Sequence, residues 1–243
     1  MKRKYWLQLL VFAVLVNIGS AVADDGFYVV AVGGGVGTKI TRVPYIISNP
    51  GFYYLAGNLT YSGSDNAITV NSNDVTIDLM GFSLSTATGQ SGIFASYLYS
   101  NVEIRNGTVR GFSLDGVSLG GGKSRVLNIR AFANQSHGII VDGNGNQIRG
   151  CTACNTTRGI FIAGGTLSGC TASDNSVYGI FCSGAASILN NVANNNTGHN
   201  FWFSSGSQKV LVDRNAADGL NPNYYITNTS TGVTITSNNV GTP

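Results

Sequence analysis

Charged residues are scarce in this 243-residue chain, at 10% of the whole, and glutamate occurs once, at Glu103. Proline occurs four times, cysteine four times and histidine twice. The chain is instead rich in Asn, Ser and Thr and contains 33 glycines. This composition gives no sign of disorder before the C-terminal tail and is typical of a β-rich chain with many short turns.

The first residues are typical of a signal peptide. A basic stretch at residues 2–4 precedes an apolar run at residues 6–18, and residues 21–23 are Ala-Val-Ala, the small-x-small pattern that signal peptidase cleaves. The apolar run is too short to span a membrane comfortably, and no second apolar segment of spanning length follows. We therefore expect residues 1–23 to be removed and the protein to be secreted, to the medium, the cell surface or the periplasm.

Cleavage would change the charge balance of the chain. The whole sequence has 14 Lys and Arg against 11 Asp and Glu, and three of those bases lie in residues 2–4. The mature chain is then formally neutral. The basic pI belongs to the full sequence with residues 1–23, so it is no reason to expect a nucleic-acid partner or an anionic membrane surface.

A repeat of about 21 residues is visible from residue 90 onward. A Gly-Ile or Gly-Val dipeptide recurs with steps of 20 to 24 residues, at Gly92-Ile93, Gly116-Val117, Gly138-Ile139, Gly159-Ile160 and Gly179-Ile180, and then as the variant Asn200-Phe201. Four residues before each of the last four lies an asparagine: Asn134, Asn155, Asn175 and Asn196. The runs between Gly and Asn alternate over only a few residues, so they predict short strands and leave no room for a helix.

Coils of this length predict an all-β solenoid, a parallel β-helix with three short strands and three turns in each coil. Stacking places equivalent positions about 4.8 Å apart, so the four asparagines are predicted to form a hydrogen-bonded ladder. The apolar residues after each glycine are predicted to stack inside. We expect residues 24–60 to form an N-terminal cap and an irregular first coil, residues 61–215 the β-helix, and residues 216–243 a C-terminal cap or tail.

The Asn-x-x-x-Gly-Ile coils, with the earlier segments Val75–Phe82 and Val102–Thr108, resemble the bacterial right-handed parallel β-helix repeat proteins of the pectin-lyase-like superfamily. The resemblance covers residues 40–215 and implies the fold, but a fold of this kind does not imply one function. Ser136-His137-Gly138 is similar to a tripeptide of polygalacturonase-like members. The other motifs of polygalacturonase-like members are missing. Also missing are the calcium-binding carboxylate cluster of pectate-lyase-like members and the Asp-Pro-His-Asp motif of mannuronan epimerases. An enzyme with one of the known activities of this superfamily is therefore the third hypothesis for the function, after glycan binding and a structural or adhesive role.

Outward positions of stacked coils become neighbours, so they are the candidate functional positions. The residues before each Gly-Ile predict a polar column, whose acid and base groups make Asp115, His137 and Arg158 catalytic candidates. Beside it runs an outward row of Ile140, Phe161, Phe181 and Trp202. An exposed aromatic row suits the apolar faces of a sugar chain, so the predicted substrate-binding residues here are Phe161, Phe181, Trp202 and Tyr178. Alternatively, the column is polar only because turn positions accept any polar residue, and the tail with Tyr224 and Tyr225 covers the rings.

A second outward column is predicted to contain Asp78, Arg105, Arg130 and Arg149, each directly after an inward isoleucine. Stacked arginines repel unless an anion lies across them, so Arg105, Arg130 and Arg149 are candidate binding residues for a uronate or sulfate chain. The alternative is a solvated strand face with separate counter-ions.

The four cysteines do not indicate a metal site. Cys151-x-x-Cys154 lacks a second such pair and a histidine at ligand spacing, so we predict no metal and no cofactor. Cys151 and Cys170 occupy the same repeat position, and Cys182 replaces an isoleucine of the core. They are either small apolar core residues or, for Cys151 and Cys170, a disulfide that an oxidising compartment would allow.

Two functions therefore remain for the sequence. In the first, a secreted β-helix protein binds, or also processes, a polysaccharide or cell-surface glycan, and any catalysis would be of the polysaccharide lyase or glycoside hydrolase kind. In the second, a structural or adhesive surface protein uses the solenoid as a stiff spacer. The aromatic row and the arginine column favour the first. The sequence does not specify the oligomeric state.

Overall fold

The computed structural model describes residues 37–204, 209–219, 223–226 and 232–241. The predicted signal peptide, residues 1–23, lies outside this part of the chain. Within the described ranges the chain forms strands, turns and bends and no helix, so no helix there could cross a membrane.

Short strands follow one another along the described chain. In order they are β1 Thr38–Ile40, β2 Tyr45–Ile47, β3 Gly51–Leu55, β4 Leu59–Tyr61, β5 Ile68–Val70, β6 Val75–Asp78, β7 Ser83–Thr86, β8 Ile93–Ala95, β9 Val102–Arg110, β10 Val117–Leu119, β11 Arg125–Phe132, β12 His137–Val141, β13 Asn146–Arg149, β14 Thr152–Cys154, β15 Arg158–Ile162, β16 Gly165–Ser168, β17 Thr171–Ser173, β18 Tyr178–Cys182, β19 Ala186–Leu189, β20 Val192–Asn194, β21 His199–Phe203, β22 Val210–Asp213, β23 Ala216–Asp218, β24 Tyr224–Ile226 and β25 Val233–Ile235.

These strands form two sheets. The nine-stranded sheet has the order β2-β5-β8-β10-β12-β15-β18-β21-β24. The sixteen-stranded sheet has the order β1-β3-β6-β9-β11-β13-β16-β19-β22-β25, with β4, β7, β14, β17, β20 and β23 off this path. The strands that pair come from successive coils and run parallel, for example β12 with β15 and β15 with β18. The predicted all-β parallel solenoid is therefore confirmed.

Columns of apolar residues fill the interior. Ile139 lies opposite Ile160, and Ile160 lies opposite Ile180. All three are fully buried, because the period of two along each strand sends alternate residues inward. The column ends on larger side chains, where the rings of Phe201 and Tyr224 stack with centroids 4.9 Å apart. The second predicted inward column is also buried: Val141, Ile162, Cys182 and Phe203.

An asparagine ladder forms, with one member different from the prediction. Asn134, Asn175 and Asn196 are buried, and Asn196 Oδ1 accepts hydrogen bonds from the backbone N–H and Nδ2 of Asn175, at 3.0 and 2.9 Å. The prediction is wrong for Asn155, which is exposed in the left-handed conformation at φ 52°. Thr156 takes its place, because its N–H and Oγ1 donate to Asn175 Oδ1 at 3.1 and 2.6 Å.

A second ladder lies on another corner of the coils, and the sequence analysis did not find it. The Asn215 Oδ1 atom accepts from the N–H and Nδ2 of Asn191, both at 2.9 Å. The Asn239 Oδ1 atom accepts in turn from Asn215, at 2.8 and 3.0 Å. The step of 24 residues between these asparagines was readable in the sequence, but it differs from the 21-residue step of the first ladder.

Cys151 and Cys170 occupy the positions before Asn191 in this second ladder. The backbone N–H of Cys170 donates to Asn191 Oδ1 at 2.9 Å, and the N–H of Cys151 points at the Cys170 sulfur, 3.4 Å away. Burial and the neighbouring Cys170 side chain raise the pKa of the Cys151 thiol, and burial raises that of Cys182 to about 11. All four cysteines are present as thiols. Cys151 and Cys182 are thus neutral core side chains at physiological pH, and Cys170 is buried beside Cys151.

Parallel pairing continues into both flanking segments. Strand β1 pairs with β3 inside residues 24–60, and β3 pairs with β6. Strands β23, β24 and β25, inside residues 216–243, pair with β20, β21 and β22. The described parts of the predicted cap and tail thus belong to the same parallel sheets as the other coils. Pro44 and Pro50 do not prevent this pairing, because they fall just outside strands rather than within them.

Candidate functional site

An aromatic row crosses the outward face of the nine-stranded sheet. Phe161, Phe181 and Trp202 occupy equivalent positions of β15, β18 and β21. Their ring centroids are 5.2 and 4.9 Å apart, and Tyr225 on β24 continues the row 6.0 Å beyond Trp202. Phe161, Phe181 and Trp202 are partly buried. Ile140 occupies the adjacent position at the other end. We call Phe161, Phe181, Trp202 and Tyr225 the ring row.

The two tyrosines of the predicted tail do not lie over the rings. Tyr225 is 39% exposed and extends the row, while Tyr224 points inward onto Phe201. Alternation along β24 separates the two side chains in this way. Among the described residues, the alternative in which Tyr224 and Tyr225 cover the rings is therefore wrong.

Neighbouring rings hold the ring row in place. Tyr178, which is only 3% exposed, meets Phe181 and Trp202 edge-on, with centroids 5.2 and 5.8 Å away. His199 lies flat on Tyr225 at 4.4 Å and an interplanar angle of 6°. Edge-to-face and offset contacts of this kind are favourable by about 0.5–1.5 kcal/mol each. The row is thus ordered before any ligand arrives.

The predicted polar column exists beside the row. His137, Arg158, Tyr178 and His199 occupy paired positions of successive strands. His137 Nδ1 lies 2.9 Å from Asp115 Oδ1, and His137 Nε2 lies 3.1 Å from the Tyr178 hydroxyl, two coils away. The backbone N–H of His137 donates to the same Asp115 oxygen at 2.9 Å. Asp115, His137 and Tyr178 thus form one hydrogen-bonded chain, which we call the Asp-His-Tyr chain.

Electrostatics act on both ends of this chain. Burial acts to raise the pKa of Asp115, but the hydrogen bonds from His137 outweigh it and leave that pKa below its usual value. Burial raises the pKa of Tyr178 well above its usual value, against the opposing charge of Arg158. Near neutral pH an ionised Asp115 therefore accepts from His137 Nδ1, while the direction of the bond between His137 Nε2 and the neutral phenol follows the state of the imidazole.

This arrangement constrains what the catalytic candidates can do. Both ring nitrogens of His137 are engaged within the protein, and the Tyr178 hydroxyl is on a buried side chain. Neither group is aimed at a ligand, as a general base would have to be. The Asp-His-Tyr chain is therefore suited to fixing the side chains next to the ring row.

Two ring nitrogens at the C-terminal end of the row have hydrogen-bonding capacity that the described residues leave unused. Trp202 Nε1 and His199 Nδ1 are buried and have no partner within those residues, and the two rings lie 5.9 Å apart. Buried polar groups are normally paired. Both nitrogens are shielded from solvent, so a ligand reaches them only if neighbouring side chains move.

The predicted arginine column does not form as a stack of unpaired arginines. Arg105 binds Asp78 at 2.7 Å and Glu103 at 3.0 Å, and Arg125 binds the other oxygen of Glu103 at 2.8 Å. The column runs through Asp78, Arg105, Leu127 and Arg149. The guanidinium of Arg105 is therefore already neutralised by carboxylates.

Arg130 was assigned to this column wrongly. It lies opposite Thr108 and Thr152, three positions farther along β11. The left-handed residue Asn128, at φ 53°, separates the two halves of that long strand. The sequence pattern aligned Ile129 with Ile104, whereas the true partner of Ile104 is Val126.

Metal ligands do not come together in the described ranges, where no group of three or more His, Cys, Asp or Glu side chains could hold an ion. Cys154, half-buried at the end of β14, has no second cysteine of a CxxC pair facing it, because Cys151 points into the core. The ring row and the polar column beside it are therefore the candidate site.

Comparisons with known proteins agree with the fold. A family model described as "Right handed beta helix region" matches residues 46–197 and 104–240. A pectate lyase, Pel9A, is similar at 16% identity and a TM-score of 0.50, over 87% of this chain and 67% of that one. The A-module of mannuronan C-5 epimerase AlgE4 from Azotobacter vinelandii is similar at 14% identity and a TM-score of 0.38, over 79% and 85%. No curated protein matches the chain.

Proposed function

The chain belongs to the right-handed β-helix family, and from this premise we propose that it is a secreted protein that binds polysaccharide along the ring row. The family and the fold leave the function open, because one fold serves many functions. The single observation that carries the proposal is the row itself, since four rings lie in register on the outward face of one sheet, three of them partly buried and Tyr225 39% exposed.

The geometry of the row suits an extended sugar chain. The four rings are separated by three coil spacings of about 4.8 Å, which give a track about 14 Å long between the first and last ring. Sugar rings have apolar C–H faces that pack on aromatic side chains, while their hydroxyls need hydrogen bonds at the edge. Arg158 and His199 lie in the polar column on that edge. A linear glycan could therefore use rings and polar groups together.

Support for secretion comes from the sequence alone. The basic stretch, apolar run and Ala-Val-Ala pattern of residues 1–23 predict export. Polysaccharides of cell walls and matrices lie outside the cytoplasm, so a secreted binder would meet them. The mature protein, residues 24–243, is accordingly the form to be tested.

Catalysis is not part of the proposal. The known motifs of the family's enzymes are missing, and both nitrogens of His137 are occupied by Asp115 and Tyr178. A structural or adhesive role is the second candidate, and the parallel ladder from Thr38 to Ile235 favours it, because stacked coils make a stiff rod.

The experiment measures binding of the mature protein to a panel of soluble polysaccharides by affinity electrophoresis, with analysis of the products for unsaturated uronates. The double variant Phe181→Ala, Trp202→Ala removes the centre of the row. The matched control is Tyr97→Ala, because Tyr97 is an 80% exposed ring outside the row. We expect the wild type and the control to be retarded by at least one polysaccharide and the double variant to migrate freely.

Retardation of the double variant to the same extent as the wild type would contradict the proposal. Failure of the wild type to bind any polysaccharide would also contradict it and would favour the structural role. Products with unsaturated ends would add an activity that the geometry of His137 does not predict.

A further inference from the structure

We propose that the polysaccharide held by the ring row is a neutral one, with hydroxyl groups and no carboxylate or sulfate on its units. This inference rests on the proposed function and narrows it to a class of ligand. It differs from the uronate or sulfate chain that the predicted arginine column suggested.

Charges around the row carry the inference. Within two residues of strands β8 to β21 in the nine-stranded sheet, the charged side chains are Asp115, Asp142 and Arg158. With the two histidines neutral, two acids and one base leave this face slightly negative. Asp142 is exposed at the end of β12 and close enough to His137 for the two to interact electrostatically. A polyanion would therefore approach a face of its own sign, which is unfavourable.

One cation cannot serve a repeating acid. Arg158 is half-buried between His137 and Tyr178 and directs its charge towards Tyr178. A uronate chain presents a carboxylate on every unit, whereas the neighbouring positions in the column are an imidazole and a phenol. Carboxylates beyond the first would lose their hydration without gaining a partner, and burying an unpaired charge is costly.

Other arginines of the coil do not compensate. Arg105 and Arg125 are paired with Asp78 and Glu103 on the sixteen-stranded sheet, whereas the ring row lies on the nine-stranded sheet. Arg130 and Arg149 are exposed on that same sheet. None of these four side chains lies along the ring row, so they do not add to the positive charge of Arg158 there.

The test compares matched oligosaccharides that differ only in oxidation at C6. The probes are β-1,4-mannohexaose against β-1,4-hexamannuronate, and cellohexaose against β-1,4-hexaglucuronate, each titrated by calorimetry at low and high sodium chloride. We expect the neutral member of at least one pair to bind about ten-fold tighter or more than its oxidised partner. Its affinity should not change with salt, because no ion pair is formed.

A charge variant sharpens the test. Asp142→Lys reverses the exposed acid beside the row, so it should improve binding of the oxidised member about ten-fold at low salt and leave the neutral member within about two-fold. Asp65→Lys is the control, because it makes the same charge change at an exposed acid next to β5, three coils before β12. That separation of about 14 Å exceeds the Debye length of about 10 Å at 0.1 M salt, the lower salt concentration of the test. The control should change neither affinity.

Each outcome decides between the inference and its premise. One contrary result is tighter binding of the oxidised member, with an affinity that weakens with salt and is lost in the Phe181→Ala, Trp202→Ala variant. That result would overturn the inference of a neutral ligand but would leave the proposed function standing. Binding that survives in that double variant would overturn the proposed function itself. If the wild type bound no member of either pair and no polysaccharide of the panel, both would fall.

Discussion

Substituting Asn175 by Leu should destabilise the fold strongly, because Asn175 is at the centre of the first ladder. Its side chain is fully buried and makes bonds to the coils on both sides. Oδ1 accepts from the N–H of Thr156 at 3.1 Å, and Nδ2 donates to the carbonyl of Ala153 at 3.3 Å and to Asn196 Oδ1 at 2.9 Å. Leucine has a similar size but satisfies none of these groups.

The magnitude follows from the groups left behind. The N–H of Thr156 and the carbonyl of Ala153 are buried backbone groups, and each costs about 1–3 kcal/mol when unpaired. Asn196 Oδ1 keeps its bond from the backbone N–H of residue 175, so it adds little. We therefore expect a loss of about 2–6 kcal/mol in the free energy of unfolding.

Urea unfolding followed by circular dichroism measures this loss. The matched control is Asn155→Gly, which removes the amide that the sequence wrongly placed in the ladder and keeps a residue that tolerates φ 52°. The control should change stability by no more than about 0.5 kcal/mol. An Asn175→Leu variant as stable as the control would refute the ladder as a source of stability.

Three further predictions concern pH, the core and the thiols. Folding raises the pKa of Tyr178, so the contribution of this side chain to the free energy of unfolding is complete below about pH 10 and is lost as the pH rises further. In urea titrations, Tyr178→Phe should therefore be less stable than the wild type at neutral pH but lose less stability at alkaline pH. Ile160→Ala, in the buried column, should cost about 2–5 kcal/mol in thermal unfolding, whereas Ile46→Ala, at a side chain 63% exposed, should cost almost nothing. Ellman's reagent should find four thiols in the denatured protein, with Cys154 reacting fastest in the native state; fewer than four would indicate a disulfide.

Much of the fold could be predicted because the inward residues obey a simple rule. Gly-Ile steps and alternation place Ile139, Ile160 and Ile180 in one buried column, and the structure agrees. The same alternation predicted the outward row of Phe161 and Phe181. Strand periodicity is a local property, so the sequence carries it directly.

Register at the turns could not be read in the same way. Asparagine serves two purposes in these coils, as a buried ladder residue at Asn175 and as an exposed left-handed turn residue at Asn155. Both are physically favourable for its short amide side chain. A shift of one residue at a turn therefore placed Asn155 instead of Thr156 in the predicted ladder. A shift of three residues in β11 likewise placed Arg130 in the wrong column.

The packing around the row was also beyond the sequence. Tyr178 was predicted as an exposed binding residue, but it is 3% exposed and bonds His137 across two coils. Its ring occupies the space between the polar column and Phe181. Which outward side chain folds over its neighbours depends on rotamers, which the repeat pattern does not specify.

The most direct test of the account is the dissociation constant of the mature protein for whichever polysaccharide binds it best, measured for the wild type and for Phe181→Ala, Trp202→Ala and the double variant. Each ring should contribute about 1–2 kcal/mol of apolar contact, so each single variant should bind about ten-fold more weakly and the double variant about a hundred-fold. Because both rings contact Tyr178, the variants must be measured well below their unfolding temperatures. Equal dissociation constants for the folded double variant and the wild type would contradict the claim that the ring row is the binding site.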